Sequence, residues 1–286
     1  MNLLTPLDPA WPASLGDAQP AVSALYTMGD AGCLQAPLCA VVGTRMATDY
    51  GQRVTTQLVS ALALAGVGIV SGLARGIDAA AHRAALGVGG RTIAVLGTGV
   101  DVPYPVGHRE LHKQIVERGL VVSENPPGTP ARSGCFPRRN RIIAALAPVT
   151  LVVEAGFKSG AHSTANAALA SNRMVAAVPG PIDSPQSAGT NALIADGAQV
   201  VTCAGDLFSL LGLAPPSSER IEQRLVGDTL AVWRALERGA LYCEDVAAAA
   251  DLPLPRALSA VSELELAGHV DVGIDDRVRR AVPLVR

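Results

Sequence analysis

The chain has 286 residues, with 23 Lys+Arg against 25 Asp+Glu for a formal net charge of −2, and it is 49% apolar against 17% charged. That composition excludes a disordered chain and supplies a large core, which an aromatic content of 3% requires to be built from Ala, Val, Leu and Ile. Near-neutral charge, taken alone, argues against a polyanionic partner, because nucleic-acid-binding domains usually carry a basic excess.

Residues 1–37 are Pro-rich and carry no basic residue. They read as an extended lead-in with little regular structure, with Leu25 and Tyr26 pinned to the domain that begins at Leu38. No basic residue precedes Arg45, so the charged start of a secretory signal is missing and a cytoplasmic location is expected. From Leu38 the pattern alternates. A short apolar run, Leu38–Val42, ends at Gly43, and a helical pattern follows from Thr48 to Ala65. Val67–Val70 closes at Ser71-Gly72 and leads to a helix over Ile77–Leu86. Thr92–Leu96 precedes a helix near Val106–Arg118, then a strand over Leu120–Ser123. A helix over Arg139–Leu146 leads to Thr150–Val153, and one over Ser163–Ser171 to Val175–Val178. Asn191–Ile194 leads to Gln199–Val201. The uncharged stretch Val54–Ala74 is broken by Thr55, Thr56, Gln57, Ser60, Gly66, Gly68 and Gly72, so it reads as helix, turn and strand and not as a membrane span.

Short continuous apolar strands separated by helices are the mark of a parallel sheet buried on both faces. The expected fold is α/β, a doubly wound, extended Rossmann-like parallel sheet over residues 38–211. A Pro/Ser linker over 212–222 and a small domain over 223–286 follow. The small domain reads as helices over Leu225–Glu237, Glu244–Ala250 and Pro255–Leu266, then a hairpin of Val270–Val272 and Val278–Val282, which describes a winged helix.

Ligands of open parallel sheets meet the carboxyl ends of the strands. Neither G-x-G-x-x-G nor the Walker pattern is found at those ends, so no nucleotide cofactor is expected. What recurs is Gly with a basic residue: Gly43-Thr44-Arg45, then Gly72 with Arg75-Gly76, then Gly156-Phe157-Lys158-Ser159-Gly160. Small residues let backbone N–H groups approach an anion, and Arg or Lys adds full charge, so the three loops point to multiple phosphate contacts. The strongest segment is Arg132 to Arg141, four Arg without an acid. Within it, Arg138, Arg139 and Arg141 crowd a helix N-terminus, where the macrodipole disfavours cations. A polyanion would supply the missing charge, with one of the three pairing to Glu124 or Glu154. Phe136 and Asn140 lie in the same segment, Phe136 either stacked on a base or buried.

Catalytic candidates are few. Glu154 ends an apolar strand and is a possible base, and Asp78 is another, though it more simply suits its helix dipole; Ser163 and Thr164 suit a helix start. Five cysteines without a C-x-x-C pair argue against disulfides and zinc. His108 and His112 stand four apart but lack the H-E-x-x-H pattern and a third ligand, so no metal is expected.

The motifs V-V-G-T-R (41–45), S-G-L-A-R-G-I-D-A-A-A-H (71–82), T-I-A-V-L-G-T-G-V-D (92–101) and Y-P (104–105) together resemble the DprA family of bacterial transformation. So do F-P-R-R-N-R-I-I-A (136–144), V-V-E-A-G-F-K-S-G (152–160), A-V-P-G (177–180) and G-T-N-x-L-I (189–194). Ala161-His162 departs from the family pattern, where a hydroxyl and an aliphatic residue are commoner. The resemblance implies a non-catalytic homodimer that binds and protects single-stranded DNA and loads RecA onto it past single-strand binding protein. It places the basic pocket at Arg45, at Arg138, Arg139 and Arg141, and at Arg75 and Lys158.

Two alternatives remain: a nucleotide-cleaving enzyme of the related α/β fold using Glu154, and a duplex-DNA regulator. The second would act through the winged helix, whose hairpin carries Arg277, Arg279 and Arg280. Residues 38–204 hold 14 basic and 9 acidic residues, and the flanks 9 and 16, so the neutral total conceals a basic central segment.

Overall fold

A computed structural model describes residues 1–132, 134–157, 159–214, 221–223, 225–266, 269–273 and 275–280, with Arg238 and Leu266 described by backbone alone. The predicted linker residues 215–220, Lys158 and the end of the last predicted strand fall outside the described residues.

Seven parallel strands follow the predicted order: β3 (Leu38–Val42), β4 (Gly68–Ser71), β5 (Thr92–Val95), β6 (Leu120–Ser123), β7 (Val149–Val152), β8 (Met174–Ala177) and β9 (Gln199–Val200). Their continuous apolar runs have a direct cause. In β3, Leu38, Ala40 and Val42 enter the core on one face, while Cys39 and Val41 enter the core on the other. Helices α1 (Asp49–Leu64) and α2 (Ile77–Gly87) cover one face through Leu58, Leu62, Ile77 and Ala81. On that side, α3 (Arg109–Arg118) packs Leu111 and Ile115 against Leu96 and Val121, and α7 (Ala204–Leu210) adds Leu207 and Phe208. Helices α4 (Cys135–Leu146) and α5 (Ala161–Ala170) cover the opposite face, and α6 (Ala188–Ala195) adds Leu193 there.

The lead-in is the main departure from expectation. It forms β1 (Asn2–Leu4), a 3-10 turn over Ala13–Asp17 and β2 (Leu25–Gly29). These strands extend the sheet to nine, in the order β1-β2-β6-β5-β4-β3-β7-β8-β9. β2 pairs antiparallel with β6, Tyr26 opposite Ser123, so the sheet is mixed at this edge. Leu4, Leu15, Val22 and Leu25 are buried in the core beneath α4. These residues are separated by prolines and turns, which break the periodicity by which a strand or helix is read; only their burial orders them.

From β3 the chain winds outward through β4, β5 and β6, then returns to place β7 on the other side of β3. That reversal makes the carboxyl ends of β3 and β7 the topological switch point of the sheet.

A separate core gathers Ile221, Val232, Trp233, Leu236, Val246, Val261, Leu264, Val270 and Val278. It is built from α8 (Gly227–Ala235), α9 (Cys243–Ala249) and α10 (Leu254–Leu266), with an antiparallel sheet of β10 (Leu241–Tyr242), β11 (Val270–Val272) and β12 (Arg277–Arg280) in the order β10-β12-β11. The two-residue strand β10 has no sequence signal of its own and exists through its pairing with β12. Among the described residues, no helix is long and apolar enough to cross a membrane.

Candidate nucleic-acid interface

The loop after β3 and the loop after β7 are stitched together by Glu154. Its side chain accepts from Thr48 N at 2.9 Å and Thr48 Oγ1 at 2.7 Å, and its carbonyl accepts from Thr44 N at 2.6 Å. Thr48 in turn caps α1 by accepting from Gly51 N. Glu154 is 2% exposed, so the carboxylate read as a possible base is buried inside a structural joint. Asp78 is likewise buried, accepting from the backbone N–H groups of Gly72 and Ala74; burial raises its pKa, opposed by Arg139 and those N–H groups. Its role exceeds that of a dipole-matched first-turn acid.

The arginines of α4 divide by helix face. Arg139 falls at the spacing i, i+3, i+4, i+7 with Ile142, Ile143 and Leu146, so it points inward with them. It is 7% exposed, and its Nη1 donates to the carbonyls of Gly72 (2.6 Å) and Val95, while Nε donates to Asn140 Oδ1 at 3.2 Å. Burial, and the charge of Arg45, lower its pKa to about 10 against the pull of Asp78. Arg141 is buried too, donating to Glu124 Oε1 at 2.5 Å and to the Pro20 carbonyl at 2.6 Å. The expectation that a polyanion neutralises this cluster is therefore corrected for these two. The protein's own carbonyls and Glu124 satisfy them, because the apolar stripe of α4 carries them into the core. Arg138 alone is exposed, with Glu124 Oε2 at 3.6 Å.

Around the switch point lies a crevice of two adjoining cavities. One, of about 490 Å3, is lined by Gly43, Thr44 and Arg45, by Phe136, Arg139 and Asn140 of α4, and by Ser159 and Gly160 at the start of α5. The other, of about 320 Å3, is lined by Arg45, Gly72, Arg75, Tyr104, Phe136 and Arg139. Arg45 and Arg75 are exposed, and among the described residues no hydrogen bond or ion pair holds either. Glycines here serve the fold. A Cβ on Gly72 would enter the Arg139 guanidinium, and one on Gly43 would lie 2.5 Å from Ile77 Cγ1. Gly76, at φ +74°, would drive a Cβ into the Thr44 carbonyl and does not line the crevice. By contrast, Gly160 has open space around its Cβ position.

Sequence reasoning overlooked two aromatics. Of three Phe and four Tyr in the chain, Phe136, Phe157 and Tyr104 line the crevice. Phe157 is 75% exposed, and the Tyr104 and Phe136 rings lie with centroids 5.1 Å apart. A solvent-facing Phe inside a Gly-Phe-Lys-Ser-Gly loop was the available signal, since an apolar ring there has nothing to pack on in the chain itself. On the small core, the hairpin arginines are engaged internally. Arg279 Nη2 lies 2.7 Å from Asp271, Arg280 donates twice to the Trp233 carbonyl and covers its ring at 4.3 Å, and Arg277 covers the Tyr242 ring at 4.9 Å. His108 and His112 bind the carbonyls of Leu73 and Val100, and no group of three metal-type side chains occurs among the described residues.

Comparison with known proteins places this geometry. The family model of DNA recombination-mediator protein A matches residues 2–212. A Mycobacterium tuberculosis protein named as a putative DNA processing protein DprA is 40% identical over 93% of this chain and 74% of its own length. The X-ray structure of DNA processing protein A from Streptococcus pneumoniae superposes with a TM-score of 0.70 at 40% identity, covering 73% of each chain. The Helicobacter pylori DNA processing protein A, whose structure was described for its single-stranded DNA binding mode, superposes with a TM-score of 0.67 at 30% identity over 74% of this chain and 96% of its own. With its mostly parallel Rossmann-like sheet and its motifs at the strand ends, the chain belongs to the DNA recombination-mediator protein A family, that of DprA and Smf.

Proposed function

We propose that the crevice binds single-stranded DNA, and that the protein acts in recombination of incoming DNA. The carrying observation is a pair of exposed arginines, Arg45 and Arg75, with no partner among the described residues, beside three aromatic rings at the switch point of the sheet. Arg45 and Arg75 contact phosphates, together with Lys158 from the sequence pattern. Thr44 and Ser159 offer hydroxyl donors, and Gly160 offers its backbone N–H. Phe157, Phe136 and Tyr104 stack on bases, a sequence-tolerant contact open only to unpaired strands. Arg139 and Asn140 form the floor and set its potential. The binding mode described for the Helicobacter pylori relative supports this reading.

Loading of RecA past single-strand binding protein, a homodimeric state and a cytoplasmic location follow from the family resemblance. A binding role without catalysis fits the burial of Glu154 and Asp78; free base released from nucleoside monophosphates would count against it. The small C-terminal core is assigned an accessory winged-helix role, its hairpin arginines Arg277, Arg279 and Arg280 being engaged within it.

Fluorescence anisotropy with short oligo-dT at rising salt tests the proposal. Arg45→Ala and Arg75→Ala each weaken binding and flatten the log–log salt slope by about 0.7, the value for one phosphate on a single strand. Unlabelled duplex competes poorly. Unchanged slopes in both variants overturn the assignment. RecA filament assembly on protein-coated strands, with and without single-strand binding protein, tests the loading step separately.

A further inference from the structure

Across the first turns of α4 from the crevice lies another cavity, of about 270 Å3. Its floor is Ile142 of α4, 1% exposed, beside Leu96 at the end of β5, whose side chain packs on the opposite face of the sheet under α3. Its polar rim is formed by Glu124 and Asn125 after β6 and by Arg138, with Cys135 at the mouth. The volume falls just below the roughly 300–1,000 Å3 typical of sites for drug-sized ligands, so it suits one flat ring system. Arg139 lines both this cavity and the crevice, so the two share a wall.

The rim groups have unused hydrogen-bonding capacity of a defined kind. Asn125 Nδ2 donates to the Gly97 carbonyl at 2.9 Å, which fixes the amide orientation and turns Oδ1 away from that bond; among the described residues no donor reaches Oδ1. Glu124 uses Oε1 for Arg141, while Oε2 has only Arg138 at 3.6 Å. The Arg138 guanidinium makes no hydrogen bond among the described residues, and its side chain is 68% exposed. Two acceptors and one multidentate donor therefore surround a slot floored by Ile142.

Resting on the single-strand reading of the crevice, we propose that this cavity is a base-reading subsite. One nucleotide of the bound strand turns its base into it, and the site favours a base carrying an exocyclic amine, adenine, cytosine or guanine, over thymine. The amine donates to Asn125 Oδ1 or Glu124 Oε2, and Arg138 donates to a ring nitrogen or carbonyl of the same base. Ile142 contacts the ring face. Thymine presents a carbonyl where the amine would stand, setting acceptor against acceptor and leaving a desolvated polar group unpaired. Phosphate contacts in the crevice are blind to sequence, so any preference at a single position has to come from such a pocket.

The test uses the full chain and short oligo-dT strands in which one thymine is replaced, position by position, by adenine, by the unsubstituted purine that lacks the amine, or by an abasic sugar. At one position adenine tightens binding by about tenfold over thymine, as an added hydrogen bond and a relieved mismatch allow. The unsubstituted purine loses that gain, and the abasic sugar binds more weakly than adenine. Asn125→Leu erases the difference between adenine and unsubstituted purine, whatever it does to the affinity common to both. The comparison of base analogues on the unaltered protein stands even if Asn125→Leu does not fold. Equal binding of adenine and unsubstituted purine at every position overturns the subsite. If oligo-dT is still bound with a steep salt dependence, the crevice survives that loss. Failure of the unaltered protein to bind any strand overturns the crevice reading and the subsite together.

Discussion

Replacing Arg139 by Ala should damage the fold more than the contact with DNA. The change removes the donor shared by the carbonyls of Gly72 and Val95, and it removes the cation that offsets buried Asp78. Each stranded buried acceptor costs about 1–3 kcal/mol, and breaking a buried charge pair on one side costs about 3–5 kcal/mol in all. Against a total stability of roughly 5–15 kcal/mol, that is about a fifth or more of what holds the domain. Arg45→Ala removes an exposed side chain with no partner among the described residues, and stays within about 0.5 kcal/mol. Urea unfolding followed by far-UV circular dichroism, run beside anisotropy with oligo-dT, separates the two effects. The Arg139 variant loses its midpoint; the Arg45 variant keeps its midpoint and loses salt-dependent affinity. A variant Arg139→Ala that unfolds at the parental midpoint yet binds DNA poorly would falsify the assignment of Arg139 as an internal strut, and would return it to the ligand contacts.

Other outcomes rest on the same geometry. His82 is fully buried, its Nδ1 is 2.7 Å from Thr92 Oγ1, and burial followed by the charge of Arg139 lowers its pKa to about 3. The unfolded chain takes up this proton near pH 6.5 and the folded chain near pH 3, so stability is complete above pH 6.5 and falls through that window, by on the order of 4 kcal/mol. Denaturant midpoints measured against pH for wild type and His82→Asn should show this fall in the first and its loss in the second; parallel curves refute it. Gly76→Ala combines a φ of +74° with collision against the Thr44 carbonyl and should cost at least about 2 kcal/mol, readable as a lowered Tm. The double change Arg279→Ala with Arg280→Ala should leave oligo-dT affinity and its salt slope unaltered. A reduced slope would place the hairpin on the DNA.

Much of the fold was legible in the chain because its signals are local. Alternating apolar runs and helical patterns marked all seven parallel strands, the Thr48 start of α1, and the Gly-plus-cation loops at their carboxyl ends. The lead-in was not legible. Leu4, Leu15 and Leu25 are isolated among prolines, and β2 exists as a strand only because the free edge of β6 accepts it. The arginine cluster was legible as charge but misjudged in direction. The heptad-like spacing of Arg139 with Ile142, Ile143 and Leu146 already marked an inward-facing side chain, and charge counting alone passed over it.

The sequence by itself determined the α/β class, the strand order along the chain, the family and the concentration of basic residues in 38–204 behind a neutral total. Only the tertiary structure decided which cations are available to a ligand. Arg45, Arg75, Arg138, Arg139 and Arg141 are chemically identical, and their difference lies in what surrounds each guanidinium. Arg139 meets carbonyls from β4 and β5, Arg141 meets Glu124 and Pro20, and Arg45 and Arg75 meet solvent at the mouth of a crevice with three aromatic rings. Those neighbours come from segments up to 121 residues apart, and no local pattern records them.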